Sequence, residues 1–171
     1  MTPVPLPIET ERLRVRAFDP DADSTAMLAV YGDPEVMRFI PGGVLADPAA
    51  VRSTLETYVQ EQATRGFSFW AVVERANGSV IGDVGFGIFG PTGEIELGWT
   101  LARDRWGRGY GSEVAAACLS AGLAHLGADR IVALVDEENE ASLHVAERIG
   151  MARVETIEAH GRRHVLFAAA R

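Results

Sequence analysis

Leu13, Val15 and Ala17 alternate with Arg12, Arg14 and Arg16 near the start of the chain. This period of two predicts a half-buried strand over 10–18. The alanine-rich stretch 21–31 reads as a helix that stops at Gly32-Asp33-Pro34. Pro34 opens a second, short helical turn reaching Phe39, and Pro41-Gly42-Gly43 breaks it. Asp47-Pro48 gives an N-cap followed by a first-turn proline. Val51, Leu55, Tyr58, Val59 and Gln62 then recur at helical spacing up to Gly66. Strands follow over 67–75 and 79–88, joined by the hairpin signal Asn77-Gly78. Pro91-Thr92-Gly93 turns into a strand over 95–101. Beyond it the pattern gives a helix over 113–124 and an apolar strand over 130–135 bounded by charges, which implies burial on both faces. A helix runs from the cap Asn139 to Gly150. Strands over 152–158 and 164–170 form a last hairpin around His160-Gly161-Arg162. The order defines one α/β domain over 1–171 with a mixed sheet, without repeats or linkers. The three prolines within 1–7 read as a loose arm.

The segment between the strand 95–101 and the helix 113–124 carries the chemistry. Arg105-Trp106-Gly107-Arg108-Gly109-Tyr110-Gly111-Ser112 sets three glycines at two-residue spacing with arginines beside them. Glycines let backbone N–H groups approach an anion closely, and a helix N-terminus adds orphan donors and partial positive charge. The run is therefore a candidate phosphate cradle. It lacks the Gly-Lys-Ser/Thr ending of a Walker loop, and Ser112 stands where a dinucleotide fingerprint needs its third glycine. The literal G-x-G-x-x-G at Gly85, Gly87 and Gly90 is followed by another strand, not a helix, and reads as turn chemistry.

The net charge of −8 argues against nonspecific nucleic-acid binding and favours a cationic partner. It also makes the local arginines more important for any polyanionic ligand. No apolar run reaches membrane-span length, and no basic n-region marks a signal peptide. The single cysteine, Cys118, excludes an internal disulfide and a cysteine zinc cluster. The four histidines have no metal-ligand spacing, so no metal is expected. The expected compartment is the cytoplasm.

The layout and motifs resemble the GNAT acyltransferase superfamily. Gly109 and Gly111 fill the last two named positions of that family's Q/R-x-x-G-x-G/A loop, while Trp106 stands where glutamine or arginine is usual. The Trp-Gly-Arg-Gly-Tyr version is similar to the ribosomal-protein N-terminal acetyltransferase branch. So are the opening Ile8-Glu9-Thr10-Glu11-Arg12-Leu13-Arg14-Val15-Arg16 and the pair Asn139-Glu140-Ala141-Ser142 and Ile149-Gly150-Met151. The resemblance covers residues 8–170. It implies a mostly antiparallel seven-stranded sheet with about four helices and a splayed parallel pair, 95–101 with 130–135. It also implies acetyl-coenzyme A as donor and a primary amine, a protein N-terminus or a small molecule, as acceptor. The pantetheine arm would bond to free backbone near Trp99, Thr100 and Leu101. The loop from Arg105 to Ser112, including Trp106, Gly107, Arg108 and Tyr110, would hold the diphosphate.

Acetyl transfer to an amine needs a neutral nucleophile, a donor for the developing oxyanion and a proton for the leaving thiolate. A backbone N–H near Thr100 or Leu101 is the expected oxyanion donor; a preorganised one is worth about 3–4 kcal/mol. Glu96 and Glu94 share one strand face and are the candidate bases, against an exposed edge or an arginine pair. The family tyrosine acid is absent, since Ala146 occupies its place, and Ser142 fits the serine that meets sulfur in the resembled branch. The alternative for Ser142 is a hydrogen bond back to Asn139 within the helix cap. Asn139 itself serves as cap, pantetheine ligand or both. For the acceptor, Phe39 and Gly42 would form a wall, and Trp70 and Phe86 would line the floor or fill the core. His160 and His164 flank the last turn and would touch substrate or stand on an exposed hairpin. Two rivals stay open: a silent acyl-coenzyme A binder, and a transferase using a larger acyl group. Monomer and homodimer are equally compatible.

Overall fold

Three helices begin on the same dipeptide. Asp19, Asp33 and Asp47 each turn a carboxylate back onto backbone N–H groups of the following turn, and Pro20, Pro34 and Pro48 supply the preset first helical φ. They open α1 (Pro20–Tyr31), α2 (Pro34–Met37) and α3 (Pro48–Arg65). Gly66, left-handed at φ 82°, ends α3 as its sequence position predicts. The structure is a computed structural model and describes residues 2–90 and 92–171. Met1 of the arm and Pro91 of the 91–93 turn lie outside the described residues.

The strands are β1 (Ile8–Glu9), β2 (Leu13–Arg16), β3 (Phe69–Glu74), β4 (Val80–Phe89), β5 (Glu94–Leu101), β6 (Arg130–Asp136), β7 (Ala152–Ala159) and β8 (Arg162–Ala170). They form one sheet in the order β1-β2-β3-β4-β5-β6-β8-β7, antiparallel except for β5 with β6. The sheet has eight strands where the pattern gave seven, because Ile8–Glu9, ahead of the expected 10–18 strand, folds back on Arg14 and Val15 across a tight turn closed by the Thr10 N–H on the Leu13 carbonyl. The arm is docked, not loose. Thr2 donates to the His125 carbonyl, Val4 donates to Gly66, and the Val4 side chain is buried in the core.

The strand period sorts β4 and β5 into two faces. One face carries Trp70, Val84, Phe86, Leu97 and Leu101 into the core beneath α4 (Tyr110–His125) and α5 (Glu140–Arg148). Helix α4 closes tightly there, since a Cβ on Gly122 would lie 2.4 Å from the Phe86 ring. The opposite face carries Ala71 and Val73 into a second core built with α1, α2 and α3. Register pairs of an antiparallel ladder share a face, so Asp83 with Thr100, Gly85 with Gly98 and Gly87 with Glu96 also look toward α1 and α3. None of the helices is long and apolar enough to cross a membrane among the described residues.

Candidate active site

The parallel pair holds at one register position, Glu96 with Val132, and parts beyond it toward the C-terminal ends of both strands. The Ala102 N–H bonds to the Ile81 carbonyl, which fixes the phase of the β4–β5 ladder. By alternation the Thr100 N–H also points at β4, whereas the backbone groups of Trp99 and Leu101 point into the gap. This corrects the choice of Thr100 as oxyanion donor and leaves Trp99 and Leu101. The Leu101 carbonyl is not free either, because the Trp106 indole donates to it at 2.8 Å.

Two cavities meet at this gap. One, about 570 Å³, is lined by the glycine loop with Trp99, Leu101, Asn139 and Ser142. The other, about 490 Å³, lies over the α1–α3 face and contains Glu96. Trp99, Thr100, Asn139 and Ser142 border both, as does Phe39. At this junction a long ligand in the first cavity and a separate one in the second would touch end to end.

The loop between β5 and α4 divides its residues between two tasks. Gly107 and Gly109 take left-handed backbone at φ 71° and 77°, a conformation glycine adopts at no steric cost, and both border the cleft. Helix α4 starts at Tyr110, not at 113, so Gly111 and Ser112 belong to its first turn and border the cleft as N-terminal residues. Gly111 also lets α5 approach: a Cβ there would meet Val145 Cγ2 at 3.3 Å. The larger side chains anchor the loop from beneath. The Tyr110 hydroxyl donates to buried Glu74 at 2.8 Å, Asn77 donates to the same carboxylate at 2.8 Å, and Arg105 pairs with it at 3.5 Å and with Asp104. The Tyr110 and Asn77 hydrogen bonds hold the Glu74 carboxyl below its ordinary range. Arg105 thus pairs with Glu74 and Asp104 and still borders the cleft, so it is an anchored charge at the cleft and not a loose loop arginine. Arg108 is exposed and makes no ion pair among the described residues.

A clasp from the β1–β2 turn fixes α4. Glu113 accepts from the Thr10 hydroxyl at 2.6 Å, the Arg12 N–H at 2.9 Å and Arg12 Nε at 2.7 Å. Arg12 also donates to the Arg108 carbonyl at 2.9 Å and stacks 4.5 Å over the Tyr110 ring. Burial pushes the Glu113 carboxyl up, but the bonds from Thr10 and Arg12 outweigh it and hold the group below its ordinary 4.5. A depressed folded value means stability present at neutral pH and lost as pH falls below the ordinary carboxylate range. Glu113→Ala is expected to cost about 1–2 kcal/mol at pH 7 and to flatten the acid side of the melting-temperature profile. An unchanged profile would remove the clasp.

The second cavity is acidic and aromatic. Glu96 reaches across the gap and accepts from the Leu134 N–H, yet burial dominates and raises its carboxyl above the ordinary value. Glu94, the other candidate, is held by Arg130 and Thr92, which lower its carboxyl. It lies at the far end of β5 from the junction, and that corrects its place as a base. Trp70 and Phe86 are corrected too. They are 1% exposed, packed edge to face at 5.8 Å in the other core, because the strand period turns them away. Phe69, one residue before Trp70, lines the chamber with Phe39, Gly42, His160 and His164. The hydroxyl of Ser142 makes no hydrogen bond among the described residues, since the Asn139 cap uses the Ser142 backbone N–H, at 3.1 Å.

Asp83 escaped the sequence reading. It is 2% exposed, receives a hydrogen bond from the Tyr31 hydroxyl and borders the same chamber as Tyr58. Burial pushes its carboxyl up to about 6, against the hydrogen bonds of Tyr31 and Thr100. The signal was present in the sequence: one acid inside the otherwise apolar and glycine-rich strand Val80–Phe89.

A splayed parallel pair, a glycine loop opening a helix at its end and two cavities meeting at the splay are the setting of an acyltransferase. The family model of the acetyltransferase (GNAT) domain matches residues 12–152. The chain belongs to the GNAT acetyltransferase family. It is 32% identical over 151 residues to YkkB of Bacillus subtilis, a protein of uncharacterised function, covering 86% of each chain. It is 30% identical over 146 residues to the N-acetyltransferase YnaD of the same organism, itself uncharacterised, covering 85% of this chain and 82% of YnaD. The crystal structure of a GNAT-family acetyltransferase from Bacillus anthracis superposes with a TM-score of 0.84 at 26% identity, covering 96% of this chain and 98% of that one.

Proposed function

We propose that this acyltransferase moves the acetyl group of acetyl-coenzyme A to a primary amine by direct attack in a ternary complex. The observation that carries the reading is the junction of the two cavities at Trp99, Asn139 and Ser142, with Glu96 in the chamber beyond it. The amine arrives as an ammonium and loses a proton to Glu96, directly or through a water. Its lone pair then attacks the thioester carbonyl carbon. The carbon–nitrogen bond forms, the carbonyl oxygen takes negative charge against the N–H of Trp99 or Leu101, and the carbon–sulfur bond breaks. The nitrogen gives up its second proton. Ser142 passes its own proton to the thiolate and regains one from that nitrogen, directly or through water. The products are the amide, the free thiol and the one proton first taken by Glu96. A covalent acyl-cysteine route has no support here, because Cys118 is fully buried on the inner face of α4 and burial raises its thiol.

The loop version and the Asn139–Ser142 segment support placement in the ribosomal-protein N-terminal branch, acting in the cytoplasm on a peptide N-terminus or a small amine. The Arg105–Ser112 loop with Asn139 supports binding of the donor. Thiol release from acetyl-coenzyme A over a panel of amines tests the activity. Donor binding without release on any amine would favour a silent binder, and faster release from a larger acyl thioester would change the donor. Intersecting initial-rate patterns are expected for a ternary complex.

Ser142→Ala is expected to lower kcat by about tenfold or more and to leave the dissociation constant of acetyl-coenzyme A within about twofold, since its methylene and backbone cap remain. Steady-state rates with calorimetry separate the two effects. A full-rate variant would remove the serine from the reaction.

A further inference from the structure

We propose that Arg162 is a positioning residue: it holds the Phe39 ring as a wall across the junction of the two cavities and keeps water from a thioester bound there. This rests on the acetyltransferase reading and adds the element that seals its site.

Arg162 opens β8 and is not among the residues that line either cavity. Its partners line both. Asp136, from the acceptor chamber, is 4% exposed and pairs through Oδ2 with Arg162 Nε at 2.5 Å. Glu138, from the donor cavity, accepts from Arg162 Nη2 at 2.7 Å. Phe39 borders both cavities, and its ring centroid lies 5.3 Å from the guanidinium carbon, within cation–π reach. One guanidinium therefore meets a residue of the chamber, a residue of the donor cavity and the ring that stands between them.

The two ends of this arrangement differ in stiffness. The Asp136 end is rigid. Its Oδ1 accepts the Glu138 N–H at 2.9 Å and its backbone carbonyl accepts the Asn139 N–H at 2.9 Å, so the turn leading to Asn139 and Ser142 is built on Asp136. A buried carboxylate keeps its cation, because parting them leaves an uncompensated charge. The Phe39 end is soft. The ring stands on the segment between α2 and α3, where Gly42 and Gly43 are left-handed at φ 90° and 68° with open space around them. That segment is held by the N–H of Ile40 on Met37, of Gly43 on Ile40 and of Leu45 on Tyr31. A guanidinium anchored on the rigid turn supplies what the segment lacks, a fixed point for the ring. The reaction it would suppress is hydrolysis. Water forms a carbon–oxygen bond at the thioester carbonyl, the carbon–sulfur bond breaks, one water proton goes to the thiol and the other leaves with acetate formation. Closing the site at the junction excludes that water.

Wild type, Phe39→Ala, Arg162→Gln, Arg162→Lys and the double variant of Phe39→Ala with Arg162→Gln are loaded with acetyl-coenzyme A, the loaded fraction is set by calorimetry, and thiol release is followed without any amine. Phe39→Ala and Arg162→Gln are each expected to release thiol at least about threefold faster per loaded site than wild type. The double variant should match Phe39→Ala, since Arg162 acts through the ring. Arg162→Lys keeps the charge but not the fork and should fall between wild type and Arg162→Gln. A role in stability alone would lower the melting temperature and the loaded fraction without raising release per loaded site. Wild-type release in Phe39→Ala or Arg162→Gln, or effects that multiply in the double variant, would overturn the wall. Phe39→Ala leaves the Arg162–Asp136 pair in place, so it decides the matter even where Arg162→Gln does not fold. Should wild type not bind acetyl-coenzyme A, the donor reading fails and hydrogen exchange at the Ile40, Gly43 and Leu45 amides decides the contact. Exchange at least about threefold faster in Arg162→Gln or Phe39→Ala supports it, and unchanged exchange overturns it.

Discussion

Gly109→Glu is expected to raise the dissociation constant of acetyl-coenzyme A at least about a hundredfold, an energetic cost of about 2.8 kcal/mol at roughly 1.4 kcal/mol per factor of ten. Two effects add. Gly109 sits at φ 77° as the N-cap of α4, where any L side chain costs roughly 1–2 kcal/mol. The new carboxylate would also stand where a diphosphate approaches the helix N-terminus, setting charge against like charge. The same carboxylate would complement the helix end and meet Arg12, whose Nη2 lies 3.5 Å from where the new Cβ would stand. The fold should therefore survive while the ligand is refused. Gly109→Ala carries only the strain, so its affinity loss should be much smaller. Calorimetry and a melting curve on both variants give the answer, and unchanged affinity in Gly109→Glu would end the assignment of this loop to a diphosphate.

What the sequence discloses here depends on how local the cause is. Helix α3 is readable to the residue, because Asp47-Pro48 and Gly66 act through their own backbone geometry. The hairpin at Asn77-Gly78 and the cap at Asn139 are readable for the same reason. The start of α4 is not, since a run with three glycines looks like loop until Tyr110 is anchored on Glu74, thirty-six residues away in sequence. The N-terminal arm misleads similarly: three prolines read as loose, yet Val4 has a core to enter. Strand parity identifies which residues share a face but not which face holds the chamber. Glu96 and Phe69 therefore fall on one side, and Trp70 and Phe86 on the other, only once α1 and α3 are in place. Arg105 and Asp83 show the remaining limit. Whether a charge is free or spent depends on partners that no spacing rule brings together.

Glu96→Gln separates chemistry from binding most cleanly. The amide keeps the shape of the side chain but accepts no proton, so kcat should fall by about a hundredfold or more while acetyl-coenzyme A binds as before. In the wild type, burial raises the Glu96 carboxyl above its ordinary 4.5, so the acid limb of kcat/KM should lie above that value and vanish in the variant. Stability should move the other way. A carboxyl whose folded pKa is raised favours the fold most when protonated, and that contribution is lost as pH rises through the folded value. At neutral pH the wild type therefore bears a buried charge that the amide lacks, and Glu96→Gln should melt at a higher temperature than wild type. Slower turnover with greater thermal stability is the signature of a group held in a costly ionisation state for its chemistry. A variant with the wild-type rate and acid limb would take the proton-accepting role from Glu96 and return it to water or to another buried carboxyl of the same chamber, Asp83 or Asp136.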